Sequence, residues 1–230
     1  MIYYMVRKLN LLIKRFFDIL ISSIGIIICA PFWIVIVILI KVLMPGPIFF
    51  KQDRIGKNFR IFSVLKFRTM KVDQEAEKNF KIERDKERIT FLGNILRRTK
   101  LDETPQMINV LKGDMSLVGP RPTVQQRVDE YPEHQQKRLS MRPGMTGLAQ
   151  IRGNVLLSWP RRIQYDCEYV EKFTVFLDLK ILINTVGVVV FGEDKYVSNN
   201  DLLNYKNPIY DNIGTVVKRI KLYNELIANA

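Results

Sequence analysis

The polarity of the chain changes twice within its first fifty residues. Basic and apolar positions are mixed up to Asp18, residues 19–40 (ILISSIGIIICAPFWIVIVILI) carry no charge, and charge returns at Lys41. A straight helix over the uncharged run would reach about 33 Å, enough to cross the hydrocarbon core of a bilayer. The run is apolar on all faces, which argues against a helix buried in a soluble core. It is also too long for a signal-peptide core, and no small-x-small cleavage site follows it. Pro31 sits near its middle, where it removes a backbone hydrogen bond and kinks a helix. Basic residues flank both ends: Arg7, Lys8, Lys14 and Arg15 before, Lys41, Lys51 and Arg54 after. The positive-inside rule places both flanks on the cytoplasmic side. A helix that enters, breaks at Pro31 and returns meets both constraints, with arms of roughly 15–18 Å. A kinked helix that crosses once is the alternative.

Beyond Pro45-Gly46-Pro47 the pattern becomes that of a mixed domain. Short β-branched and aromatic runs, Ile48-Phe49-Phe50 and residues 59–64, predict a hairpin turning around residues 54–58. Residues 72–88 are charge-dense, which predicts an exposed helix or loop. Thr104-Pro105 predicts a helix start, with Thr104 as cap. Met107, Ile108, Val110 and Leu111 supply its buried face, and Lys112-Gly113 its stop. Residues 124–141 read as polar helix, residues 161–172 as amphipathic helix, and residues 142–147 as a glycine-rich loop that could approach a ligand closely or simply turn. Residues 175–191 are strongly apolar, and lying in the membrane interface is favoured over a core position. The expected fold is α+β and mainly helical: a re-entrant membrane helix, a small hairpin or sheet, and interfacial and soluble helices around one site. The expected divisions are a basic lead-in and membrane helix (1–45), a catalytic domain (46–200) and a C-terminal extension of unknown role (201–230), in which residues 216–227 could form an amphipathic helix.

The formal net charge is +13, from 36 Lys+Arg against 23 Asp+Glu, so anionic partners are expected. Cys29 and Cys167 have no metal-ligand spacing and imply no disulfide framework. The single histidine, His134, excludes any mechanism that needs two and reads as a solvated surface residue.

Against this basic background Asp102 and Glu103 stand side by side, with Arg97, Arg98 and Lys100 just before them and Arg121 soon after. Neighbouring cations favour ionised carboxylates, which can bind a divalent metal or attack an electrophile. Guanidinium matches phosphate oxygens bidentately. Together these point to phosphoryl-transfer chemistry. A plain helix N-cap is the competing role for Asp102. Composition alone would also allow a membrane-anchored binding protein for anionic lipid or nucleic acid, without catalysis.

Several short segments in order carry a closer resemblance: residues 14–18 (KRFFD), 46–52 (GPIFFKQ), 54–56 (RIG), 66–70 (KFRTM), 101–103 (LDE) with Pro105-Gln106, 113–122 (GDMSLVGPRP), 142–147 (RPGMTG) with Ala149-Gln150, and Asp166 with Tyr169-Val170. In these the chain resembles the bacterial sugar transferases of the monotopic phosphoglycosyl transferase family. The resemblance implies transfer of a sugar 1-phosphate from a UDP-sugar to undecaprenyl phosphate, with release of UMP, as the first membrane step of a surface glycan. It implies Asp102 as nucleophile, a covalent phospho-sugar intermediate, Glu103 as its assistant, and Mg²⁺ held by Asp102 and Glu103. Arg97 and Arg121 fall on the phosphate-binding arginines, with Lys66 and Arg68 as further candidates. The setting implied is the cytoplasmic face of a bacterial inner membrane, beside anionic phospholipid, with no nucleic acid and with homo-oligomerisation left open. No multi-pass membrane domain is expected at this length, so a minimal catalytic unit is. Two positions depart from the pattern. Ala30 precedes Pro31 where serine is usual, and Asn154 stands where an arginine usually contacts substrate, so Arg152 is the expected stand-in.

Overall fold

The computed structural model describes residues 2–72, 88–129, 131–198 and 201. The charge-dense segment expected at 72–88 and the extension beyond residue 201 therefore lie almost wholly outside the described residues. The fold is α+β and mainly helical. Helix α1 (Ile2–Leu43) leads into strands β1 (Phe49–Ile55) and β2 (Ile61–Phe67), then helices α2 (Phe91–Arg98) and α3 (Gln106–Lys112). Strand β3 (Ser116–Val118), the short helices α4 (Gln125–Val128) and α5 (Glu133–Gln136), and strand β4 (Gly144–Thr146) follow. Helices α6 (Trp159–Glu171) and α7 (Val175–Phe191) complete the domain.

The helix of α1 continues through Pro31. The expected break is therefore not a loop. One rung is lost at the proline, but helix persists on both sides because both halves are docked. Its buried positions, Lys14, Asp18, Ser22, Ile36 and Ile40, fall four residues apart wherever they are close in sequence, so one stripe of the helix faces the domain on both sides of Pro31. The polar half of that stripe completes a sheet edge. Asp18 Oδ1 accepts from Leu117 N–H at 2.9 Å and from the Ser116 hydroxyl at 3.0 Å. Lys14 Nζ donates to the Val118 carbonyl at 2.8 Å and to Asp178 Oδ2 of α7 at 2.6 Å. Arg15 donates to the carbonyls of Val110 and Leu111 at the end of α3, satisfying groups that a helix C-terminus leaves open. Three of the four basic residues before the apolar run thus have partners inside the protein, Arg7 through the Val170 carbonyl. Their positions follow from packing, independently of any preference for a cytoplasmic surface.

The hairpin expected from the β-branched and aromatic runs forms, with its turn at residues 56–60 and not 54–58, because Arg54 and Ile55 pair within the ladder. β1 and β2 pair antiparallel, with Phe49 opposite Phe67 and Ile55 opposite Ile61. The buried Asn109 of α3 clamps β2, donating to the Ser63 carbonyl and accepting from Leu65 N–H. β3 and β4 pair in parallel. The glycines of residues 142–147 serve this contact: a Cβ on Gly144 or Gly119 would collide with the facing backbone. The close approach expected there is strand to strand. Residues 124–141 do not form one helix. The segment splits at Pro132 into α4, α5 and a 3₁₀ turn over Lys137–Ser140.

Three apolar clusters hold the fold. The largest joins β2, α3, β3, α6 and α7 around Val110, Met115, Leu157 and Tyr169. The second packs Ile36 and Ile40 of α1, and Met44 just beyond it, against Phe67, Leu92 and Leu96. The third gathers Ile55, Val128, Tyr131, Leu139 and Ile163. α1 is the one helix, among the described residues, long and apolar enough to cross a membrane. Its outward positions Ile27, Ile28, Phe32 and Ile34 are exposed, as are Phe176, Leu179, Ile183, Val186 and Val190 of α7. α7 is therefore no core helix. It buries Asp178 and Ile181 and leaves an apolar face outward, as an interfacial helix does.

Gly93 lies where α2 crosses the end of β2, and a Cβ there would collide with the Thr69 carbonyl. Gly93→Ala should push α2 off the hairpin and destabilise the domain by about 3 kcal/mol or more, as overpacking against backbone does. Thermal unfolding in detergent reads this out, with the exposed Asn94→Ala as a nearby control.

Candidate active site

Asp102 and Glu103 sit in a 3₁₀ turn, Leu101–Glu103, wedged between α2 and α3. Lys100 enters the turn in the left-handed region, at φ 59°. That conformation costs a non-glycine residue roughly 1–2 kcal/mol, and it turns the chain sharply out of α2. Thr104 is not the cap of α3. Its hydroxyl donates to the Leu101 carbonyl at 2.7 Å and accepts from Trp33 Nε1 at 2.9 Å. A tryptophan of the apolar helix thus holds the turn that bears the acidic pair. Nor is Asp102 an N-cap: it lies inside the turn, and the cap positions of the turn and of α3 are held by Lys100 and Pro105.

The two carboxyls have different surroundings. Glu103 accepts from Lys66 Nζ at 2.5 Å, and Arg121 Nη2 stands 3.8 Å away. Burial alone would raise its pKa, but Lys66 and Arg121 outweigh that and hold it at about 2. Asp102 shifts the other way. Burial raises its pKa, the charge of Glu103 adds to the rise, and Lys66, Arg97 and Lys100 offset only part of it. The expectation that cations favour both ionised carboxylates is therefore corrected for Asp102. The nearest cations pair with Glu103, so what dominates at Asp102 is desolvation beside a negative neighbour.

Asp102 opens onto a cavity of about 860 Å³ that also exposes Glu103, Lys66, Arg97, Lys100 and Lys71. Arg97 reaches it from the last turn of α2, with its Nε held by Thr69 Oγ1 at 2.9 Å. Arg121 approaches from the far side of Glu103. Its backbone carbonyl accepts from Arg138, which pairs with Asp166 in full burial, so these two residues position the loop that carries Arg121. Arg68 borders the cavity, but its guanidinium donates to the carbonyls of Met44 and Pro45. It caps the end of α1 instead of facing a ligand. Arg152 lies apart, stacked on the Tyr165 ring at 5.6 Å, and Asn154 bonds to Glu193 at 3.0 Å. Neither lines a cavity bordered by the pair. Pro31 lies on the exposed face of α1, two residues before Trp33.

Sequence reasoning missed Trp33, which read as one more apolar residue of a membrane run. It also missed Arg127, and it placed Arg54 in a flank, a turn and a family segment without assigning it to the site. The RIG segment at 54–56 is the one signal for Arg54; Trp33 and Arg127 carry no local pattern and reach the site's surroundings through tertiary contact.

A family model described as Bacterial sugar transferase matches residues 9–192. The chain belongs to the bacterial sugar transferase family. It is 39% identical over 191 residues to an uncharacterized sugar transferase, EpsL, of Bacillus subtilis (strain 168), covering 83% of this chain and 93% of that protein. It is 41% identical over 198 residues to the galactosyl transferase CpsE of Streptococcus agalactiae serotype III (strain NEM316), and 38% identical over 185 residues to the UDP-glucose:undecaprenyl-phosphate glucose-1-phosphate transferase of Escherichia coli (strain K12). These matches cover 80% and 77% of this chain but 43% and 40% of those two longer proteins.

Trp33→Phe keeps the ring packed on Phe67, 6.0 Å away, but removes the donor to Thr104. The transferase should lose roughly 1 kcal/mol of stability, and turnover should fall more than substrate KM rises, because the turn and not the binding wall is loosened. Thermal unfolding with steady-state kinetics checks both.

Proposed function

We propose that this sugar transferase moves a sugar 1-phosphate from a UDP-sugar to undecaprenyl phosphate through Asp102. The observation that carries the reading is the Asp102 carboxyl: buried, lacking a partner at Oδ1, and opening onto a basic cavity. In the first displacement an Asp102 oxygen bonds to the β-phosphorus of the UDP-sugar. The bond from that phosphorus to the bridging oxygen breaks, and its electron pair leaves with UMP. In the second, an oxygen of undecaprenyl phosphate attacks the same phosphorus and the Asp102 carboxylate departs. The products are UMP and a polyprenyl diphosphate-sugar, with no water consumed. Glu103, fixed by Lys66, keeps a permanent negative charge beside Asp102 and draws Lys66 and Arg121 toward the substrate phosphates. Arg97 lies on the Asp102 side to meet the same oxygens.

The residues fit a Mg²⁺ ion. Among the described residues no group of three or more His, Cys, Asp or Glu could hold a metal. Mg²⁺ characteristically binds through one or two carboxylates together with substrate phosphates, and the unpartnered Asp102 Oδ1 is such a ligand, with Glu103 next to it. When bound, the ion would neutralise diphosphate charge.

The setting proposed is the cytoplasmic face of a bacterial inner membrane. An acceptor on a long hydrocarbon tail keeps its phosphate at headgroup level, so the site must lie there. The outward apolar faces of α1 and α7 support that placement, and cations near the surface would add attraction to anionic phospholipid. The re-entrant course of α1 is supported by its docking. Lys14 and Asp18 before Pro31, and Ile36, Ile40 and Met44 after it, all pack on one domain.

UMP release by the full chain in detergent, with undecaprenyl phosphate, Mg²⁺ and a panel of UDP-sugars, tests this reading. Release is expected with at least one sugar and should fall to background in Asp102→Asn. Release that survives this substitution rules out Asp102 as nucleophile. No release from folded protein across the panel would favour a membrane-anchored binding role instead.

A further inference from the structure

A second basic surface lies where the hairpin turn at residues 56–60 meets the first half of α1, at the end of the hairpin away from the acidic pair. Two cavities adjoin there, of about 200 and 320 Å³, and Lys57 and Arg142 line both. Arg7, Lys14 and Arg15 face the smaller and Arg60 the larger. Asp18 and Asp114 are the acids on these walls, and Asp178 pairs with Lys14 from outside them. Six cations are thus set against three carboxylates. Neutral groups hold most of the cations. Arg7 donates to the Val170 carbonyl at 3.0 Å, Arg15 to the carbonyls of Val110 and Leu111, and Arg142 Nε to the Gly113 carbonyl at 2.8 Å. A carbonyl satisfies a donor but leaves the positive charge in place. Arg15 and Arg142 converge on Gly113, where a Cβ would stand 3.6 Å from Arg15 Nη2. Lys57 and Arg60 are exposed and make no ion pair among the described residues. Like charges crowded on a partly desolvated surface repel until an anion compensates them.

The surroundings indicate an anion with an apolar tail. Leu11 of α1 lines the smaller cavity, and Leu12, Phe16 and Phe17 beside it are exposed. On the other side, the hairpin turn leaves Phe59 and Ile61 exposed next to Lys57 and Arg60. Asn58 and Phe59 both hold positive φ, 53° and 61°. A bulky residue in that conformation is strained, and burial of the Phe59 ring in lipid would offset the strain. Cations flanked by exposed apolar side chains, at the start of a helix that enters a membrane, match a phospholipid headgroup and the chains below it. Neither cavity is lined by Asp102, Glu103 or Lys66, so the surface is separate from the reaction.

We propose that the cleft of Arg7, Arg15, Lys57 and Arg142 binds the phosphodiester headgroup of an anionic phospholipid, with Phe59 and Ile61 resting among its acyl chains. The inference rests on the membrane setting proposed above and is independent of the chemistry at Asp102. The phosphodiester accepts from Lys57 Nζ and from the guanidinium nitrogens of Arg142 that Gly113 does not use. One bound lipid would tie the hairpin turn and the start of α1 to the same depth, at the end of the hairpin away from the acidic pair.

The test counts lipid on the full chain. Protein in detergent is titrated with dioleoyl phosphatidylglycerol or dioleoyl phosphatidylcholine, and retained lipid is read by native mass spectrometry. Wild type, Lys57→Gln, Arg142→Gln and Lys41→Gln are compared, with thermal unfolding of the same preparations as the check on folding. Lys41→Gln removes the same charge from the last turn of α1. Wild type should saturate with one phosphatidylglycerol and hold phosphatidylcholine about tenfold more weakly or worse. Lys57→Gln and Arg142→Gln should each weaken phosphatidylglycerol binding about tenfold, the loss of one charged hydrogen bond, while Lys41→Gln matches wild type. Equal retention of the two lipids overturns the proposal. So does an equal loss in Lys41→Gln, which would mean general attraction to anionic lipid, and so does wild-type affinity in folded Lys57→Gln. Inorganic phosphate that displaces phosphatidylglycerol at equal concentration would make the cleft a soluble-anion site and overturn the lipid assignment. Normal UMP release with unselective lipid binding sinks this inference alone. Selective phosphatidylglycerol binding without UMP release leaves it standing while the proposed reaction fails.

Discussion

Everything at the site depends on one unequal sharing of charge. Two adjacent carboxyls are placed among cations, and the cations go to Glu103. Lys66 bonds it directly and Arg121 stands close by. Asp102 is left buried, with an oxygen that no group among the described residues satisfies. An unpaired buried polar atom costs stability, and this one lies beside the basic cavity, where a ligand could complete it. The left-handed Lys100, the 3₁₀ turn and the Trp33–Thr104 bond keep the two carboxyls from exchanging places. Glu103 anchors the cations, which in the proposed reaction leaves Asp102 available to an electrophile.

The apolar helix is part of that machinery as well as an anchor. Its first half completes the edge of β3 through Asp18 and Lys14, its middle holds the turn of the acidic pair through Trp33, and its end is capped by Arg68. A helix joined to the domain at so many points cannot move in the membrane independently of the active site. In the reaction proposed, the acceptor's phosphate would be confined to the bilayer surface by its tail, and this rigid joint would hold Asp102 at a fixed depth relative to it.

Much of this was legible from the sequence. The hairpin followed from β-branched and aromatic runs, the end of α3 from Lys112-Gly113, and the apolar face of α7 from composition. The acidic pair, Arg97 and Arg121 were visible as charge in an unusual arrangement. What failed to show depends on partners distant in the chain. Thr104-Pro105 looks like a cap because the local pattern does not reveal Trp33 above it. Arg68 looks like a phosphate ligand because its carbonyl partners lie 23 and 24 residues earlier. Lys14 and Arg15 look like membrane flanks, yet both are held inside the protein. Arg152 was chosen by nearness in sequence to Asn154, and the fold turns it onto Tyr165. The parallel pairing of β3 with β4 joins strands of three residues each, too short for a periodicity to appear.

The measurement that bears most directly on the role of Asp102 is the intact mass of the protein after mixing with its UDP-sugar donor and Mg²⁺, without any acceptor. A covalent path predicts an added mass of one sugar phosphate, mapped to the peptide containing Asp102, absent from Asp102→Asn and discharged when undecaprenyl phosphate is added. An unmodified protein, in a preparation that releases UMP normally once acceptor is supplied, would contradict it.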